Sequence, residues 1–82
     1  MQELDIKELG RILETARKET KKEGKRVSRG DIGKFVGVNQ QTVYEWEKGN
    51  RQPGFLSVVR FCEFLGITVD DLLGVKKNGC YA

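Results

Sequence analysis

An all-α fold of five short helices is what this sequence of 82 residues predicts, and three observations carry that prediction. Apolar residues recur at three- and four-residue intervals in successive segments. A glycine closes nearly every segment, and no stretch alternates apolar and polar residues as a half-buried strand would. The length fits one domain, near the lower limit for burying an adequate core unaided. A hydrophobic share of 38% with a single proline suits a compact helical body and argues against disorder.

Taken in order, Leu9, Ile12, Leu13 and Ala16 share one face of a first helix running from Asp5 to about Glu23 and ended by Gly24. Val27 then precedes Ser28, whose hydroxyl suits an N-cap, with Asp31 three residues on in the place of the capping-box acid. The second helix runs to Phe35 or Val36 and buries Ile32 and Val36. Gly30 and Gly33 weaken it, each by up to ~1 kcal/mol relative to Ala. Gly33 has a compensation if two backbones cross closely there. Gly37, in the turn Val36-Gly37-Val38, supplies a left-handed residue. Asn39 caps a third helix to about Lys48, with Val43 and Trp46 inward and positions 40, 41, 44, 45 and 48 outward. Gly49 stops it, and Asn50-Arg51-Gln52-Pro53-Gly54 is a loop rich in helix breakers. Phe55, Val58, Cys62 and Leu65 define the buried line of a fourth helix ended by Gly66. Thr68 caps a short fifth helix, Val69 to Leu73, with Asp70 and Asp71 near its positive end and Gly74 closing it. The expected organisation is one domain over residues 1–74, with residues 28–48 at its centre, and a short C-terminal tail, 75–82, that frays and is too small for a sensor.

Composition excludes most chemistry. There is no histidine, and the two cysteines, Cys62 and Cys80, lack the paired spacing of a zinc site. Cys62 is expected in the core and Cys80 as an exposed thiol, with no disulfide between them. No glycine-rich loop follows a strand to hold phosphate, so neither an enzyme nor a cofactor is expected. No apolar run approaches the roughly 20 residues that span a bilayer, and the N-terminus lacks a basic flank and apolar signal core. The expectation is a soluble, cytoplasmic protein without a membrane partner.

Charge is unevenly spread. The net charge is +3, yet the segment from Arg17 to Arg29 carries Arg17, Lys18, Lys21, Lys22, Lys25, Arg26 and Arg29 against only Glu19 and Glu23, leaving the remainder slightly acidic. Alone, such a run reads as a solvated helix face. Beside two short helices joined by a tight turn it reads as a source of phosphate contacts. Residues 28–48 have the form of a helix-turn-helix that binds double-stranded DNA, the second segment opening with amide side chains suited to base edges.

From Leu9 to Gly74 the sequence resembles the lambda-repressor-like helix-turn-helix family, which includes lambdoid phage repressors and Cro proteins. The matching residues are Ser28, Gly33, Val36-Gly37-Val38, Trp46-Glu47-Lys48-Gly49-Asn50-Arg51-Gln52-Pro53, Leu65-Gly66-Ile67 and Asp70-Asp71-Leu72-Leu73. The resemblance implies a compact five-helix DNA-binding domain whose third helix lies in the major groove. Its base-reading positions fall on Gln40, Gln41 and Glu45. Glutamine can donate and accept at adenine N6 and N7, and glutamate can accept from cytosine N4, each good pair discriminating by roughly 1–3 kcal/mol. Backbone contacts are implied for Arg29, Asn39, Thr42, Tyr44, Lys48, Asn50 and Arg51, which would position the protein without reading sequence. Arg17 and Glu47 match an arginine and glutamate that pair in several members, implying a structural ion pair, and Trp46 matches a core position.

Three departures stand out. The stretch between Arg17 and Ser28 is about five residues longer than is usual, giving a longer first helix or a basic loop that touches flanking DNA. Phe35 stands where a charged residue is common, and Leu56, Val59 and Phe64 add apolar surface around the fourth helix. The expected function is a transcriptional regulator, a repressor binding a palindromic operator as a homodimer through the fourth and fifth helices. Two alternatives are an antitoxin that also binds a toxin protein and a coactivator-like module that bridges proteins without reading DNA.

Overall fold

The computed structural model describes residues 5–73, so the expected helix stop at Gly74, the tail and Cys80 lie outside the described residues. Helix α1 (Ile6–Glu19) begins where the Asp5 carboxylate accepts the Glu8 N–H at 2.8 Å. It turns Leu13 fully inward and packs Leu9, Ile12 and Ala16 half-buried beside it.

This helix stops about a turn short of its expected end. Thr20 adopts extended backbone while its hydroxyl donates to the Ala16 carbonyl at 2.8 Å. Residues 21–26 then form an antiparallel hairpin, β1 (Lys21–Lys22) against β2 (Lys25–Arg26), with Lys21 opposite Arg26 and Lys22 opposite Lys25. The expectation of a strandless chain with Gly24 as a helix stop is thereby corrected. The reason is positional: Val27 is 2% exposed and its carbonyl accepts from Arg17 Nη1 at 3.1 Å. A helix continued to Glu23 would carry the chain away from that place. Glu23 and Gly24, at φ 55° and 79°, reverse it instead as the central pair of a type I′-like turn.

Helix α2 (Arg29–Val36) opens with a reciprocal capping box. The Ser28 hydroxyl accepts the Asp31 N–H at 3.0 Å, and the Asp31 carboxylate accepts the Ser28 N–H at 3.1 Å. Donation from the Ser28 backbone N–H, with the Ser28 side chain second, holds the Asp31 carboxyl below the usual aspartate value. At its end Gly37 has φ 99°, and the Gly37 and Val38 N–H groups both donate to the Gly33 carbonyl. Helix α3 (Gln40–Lys48) follows, capped by Asn39, whose side-chain oxygen accepts the Thr42 N–H at 2.8 Å. Helices α4 (Phe55–Leu65) and α5 (Val69–Leu73) complete the fold, the latter opened by a second reciprocal box between Thr68 and Asp71.

Helix α3 is clasped between α1 and α2, α4 packs on α2, and α5 bridges α1 and α4. The core these contacts enclose is Leu13, Val27, Ile32, Val43, Trp46, Phe61, Cys62, Leu65 and Leu72. Each large side chain contributes about 1.5–3 kcal/mol by leaving water. One expected core position is wrong: Phe55 is 79% exposed, whereas Phe61 is fully buried. The first turn of α4 projects beyond the core, so the buried set begins at half-buried Val58 and centres on Phe61, Cys62 and Leu65. Burial, and then the charge of Asp71, push the Cys62 thiol pKa up, leaving it a protonated core residue.

Two glycines set how closely helices approach. A Cβ on Gly10 would lie 2.6 Å from the carbonyl oxygens of both Trp46 and Glu47, so α1 rides directly on the α3 backbone. A Cβ on Gly33 would lie 2.5 Å from the Val38 carbonyl oxygen, which is the close crossing expected at that position.

The same three helices are tied by charge. Arg17 Nε and Nη2 donate to the two Glu47 oxygens at 2.7 and 3.1 Å, and Arg29 Nε donates to Glu47 Oε1 at 2.8 Å. The Glu47 side chain is 0% exposed and the Arg17 side chain 10%. Glu14 lies 3.7 Å from Arg29 and 3.2 Å from Lys18. Burial raises the Glu14 pKa, but Lys18, Lys48 and Arg29 together hold it below the usual value. Among the described residues no buried side-chain nitrogen or oxygen lacks a partner.

Three expectations follow for stability, each read from urea or thermal unfolding. Gly10→Ala and Gly33→Ala should each destabilise, because an overpacking cost of about 1–3 kcal/mol exceeds the helix-propensity gain of up to ~1 kcal/mol. Gly30→Ala should not, since its Cβ would meet the flexible Gln40 side chain at 3.4 Å and the Ser28 hydroxyl at an ordinary contact distance of 3.7 Å. Glu47→Ala should cost about 3–5 kcal/mol by stranding two arginines; a loss below 1 kcal/mol would show the network to be idle. For Asp31, whose folded pKa is depressed, the stabilisation is present above the ordinary aspartate range and is lost as pH falls through the lower folded value. The stability gap between the native protein and Asp31→Ala should therefore close on acidification and stay constant above pH ~6.

Candidate nucleic-acid interface

The N-terminal turns of α2 and α3 lie side by side, their residues lining one cleft, with the backbones in close approach at Gly33 and Val38. Ser28, Arg29, Gln40, Gln41 and Tyr44, with the edge of Arg17, line a shallow cleft of about 320 Å³ between the two helix starts. Unsatisfied N–H groups give such starts partial positive charge. The absence of a side chain on Gly30 leaves room for the Gln40 amide to lie back over the first turn of α2.

Of the residues with an implied base-reading role, Gln40 and Gln41 are exposed and Glu45 is half-buried. Gln41 Nε2 donates to Glu45 Oε2 at 2.7 Å, one turn along α3. This bond fixes which end of the Gln41 amide is nitrogen and leaves its oxygen and second N–H for an external partner.

The residues with an implied backbone role fall into three groups. Arg29, Tyr44 and Lys48 are brought together: the Arg29 guanidinium and the Lys48 ammonium lie 5.1 and 5.5 Å from the Tyr44 ring centroid. Asn39 and Thr42 are engaged with each other, the Thr42 hydroxyl donating to Asn39 Oδ1 at 2.9 Å, so their side chains serve the helix start. Asn50 and Arg51 are exposed beyond the end of α3, where their N–H groups donate to the Glu45 carbonyl at 2.9 and 3.3 Å. Sequence reasoning missed that Arg29 joins Arg17 on Glu47. The one available signal was the crowding of cations around few carboxylates between Glu14 and Arg29, which names no partner.

A larger groove of about 590 Å³ between α1 and α5 is lined by Ile12, Ala16, Ile67 and Leu72 with Glu8, Arg11, Glu19 and Asp71 at its margins, and shares no residue with the α2–α3 cleft. Among the described residues no group of three or more His, Cys, Asp or Glu comes together to hold a metal ion. No described helix is long and apolar enough to cross a membrane.

Comparison with known proteins agrees with this arrangement. A family model described as helix-turn-helix (HTH_3) matches residues 21–72, from the hairpin into α5. Two crystal structures of ClgR, the clp gene regulator of Corynebacterium glutamicum, have a similar fold. One gives a TM-score of 0.70 at 24% identity, covering 87% of this chain and 69% of that one. The other gives 0.69 at 21% identity, covering 100% and 97%. No curated protein is significantly similar in sequence. With the paired helix starts in place and the family model spanning more than half of its length, this chain belongs to the Cro/C1-type helix-turn-helix family of DNA-binding domains.

Proposed function

We propose that the protein is a transcriptional repressor that occupies a palindromic operator as a homodimer, with α3 in the major groove of each half-site. The observation that carries this reading is the outer face of α3. Gln40, Gln41 and Glu45 present amide and carboxylate groups there, and Arg29 and Lys48 flank them over Tyr44. Amide and carboxylate groups read base edges, and the flanking cations hold phosphates. Glu47 orients the Arg29 guanidinium through Nε, and the part-exposed guanidinium keeps further N–H donors for a charge-assisted bond to phosphate. Asn50 and Arg51 extend the phosphate contacts past the end of α3, while Asn39 and Thr42 contribute through the helix start they build.

One α3 covers only a few base pairs, so a symmetric pair reading half-sites about one DNA turn apart multiplies specificity. Phe55 and Leu56, 79% and 67% exposed at the start of α4, and Leu73, 39% exposed on α5, support apolar pairing of two copies. The same exposed pair favours a second reading, an antitoxin whose apolar surface binds a toxin; such a partner would co-purify.

The decisive experiment selects binding sites from random duplexes and titrates the winner. Enriched sites should be palindromic, with half-sites about 10 base pairs apart. Gln40→Ala should relax preference at one position per half-site by about 1–3 kcal/mol, whereas Lys48→Ala should weaken all sequences alike and lower the salt slope by about 1. No enrichment at moderate salt would sink the reading.

A further inference from the structure

We propose that the β1–β2 hairpin is a second DNA-contact element, gripping phosphates that flank the sequence read by α3. This rests on the DNA-binding reading above and extends it to a part of the chain outside the two paired helices.

The hairpin is built against ordinary strand chemistry. Its two cross-strand pairs, Lys21 with Arg26 and Lys22 with Lys25, are both like-charged, and like charges directly opposite each other destabilise a sheet. All four side chains are exposed, and among the described residues none is in an ion pair. The one carboxylate in the turn, Glu23, offsets a fraction of the charge. Where a local rule is broken with so little internal compensation, the rest is sought in a partner, and a net excess of three positive charges within six residues suits a polyanion.

The element is also held in place. The Lys22 ammonium sits 4.8 Å from the centroid of the Phe64 ring, which packs on Phe35 at 5.3 Å between centroids. Beyond β2, Val27 is buried and its carbonyl is fixed by Arg17. Cations on such a base lose less freedom on binding than they would on a loose loop. β2 runs through Val27 directly into Ser28 and Arg29, the end of α2 assigned to the phosphate backbone, so Lys25 and Arg26 continue that contact outward. Strand geometry gives the hairpin a reach of about 10 Å, enough to carry its cations from the entrance of α2 to neighbouring phosphates of one strand.

The test uses the full chain with Lys21→Gln, Lys25→Gln and Arg26→Gln combined, leaving Lys22 on Phe64, and two duplexes carrying the selected operator. One ends at the operator edges and the other extends it by 10 base pairs on each side. The native protein should show a steeper salt slope on the extended duplex. The triple variant should lose that difference, a drop of about 3 in slope per protomer, with base preference unchanged and a melting temperature no lower than native. A native difference retained by the variant would overturn the proposal, including the case in which the hairpin serves an acidic protein instead. An equal loss on both duplexes would overturn the flanking placement. If operator recognition persists through Gln40 in either case, the proposed function stands and only the hairpin's role falls.

Discussion

The Glu47 carboxylate is the point on which the arrangement of the first three helices turns. It lies out of water and receives three N–H donors, two from Arg17 on α1 and one from Arg29 on α2, while itself belonging to α3. Apolar packing is tolerant of small rotations between helices, whereas a buried carboxylate with fixed arginine forks is not. The pair forms where α1 approaches the α3 backbone at Gly10, and its arginine donates also to the Val27 carbonyl, where the hairpin returns to the core. Glu47 thus sets the relation of α1 to α3 and of α2 to α3, and its partner Arg17 fixes the re-entry of the chain between α1 and α2.

Much of this was legible in the sequence where local chemistry decides the outcome. Ser28 with Asp31, Asn39, Thr68 and the left-handed Gly37 and Gly49 each act within a few residues, and each helix start or stop they mark is where the structure has it. The close crossing at Gly33 was legible because it adjoins a turn. Gly10 was not, since its partner lies far along the chain, at Trp46 and Glu47.

The two misreadings have physical causes of the same kind. A basic run with helical neighbours looks like more helix until the need to bury Val27 is weighed, and a hairpin whose strands are three lysines and an arginine offers no strand pattern to detect. Phe55 fits the apolar period of α4, but period alone does not say where along a helix the core begins, and Phe61 took the place that Phe55 was given. At the interface, the sequence pointed to which face of α3 is exposed. It did not reveal that Gln41 and Glu45 are hydrogen-bonded to each other, or that Arg29 faces inward and outward at once.

That double allegiance of Arg29 constrains how the protein can change. Its guanidinium helps neutralise Glu47 and lies against the exposed Tyr44 ring, so no substitution there can retune the outer surface without also altering the interior charge balance. Gln40, exposed at the start of α3, makes no hydrogen bond or ion pair with the interior among the described residues. Change at the entrance to α2 is thereby pleiotropic, touching surface and interior together, whereas the exposed start of α3 is free of that constraint.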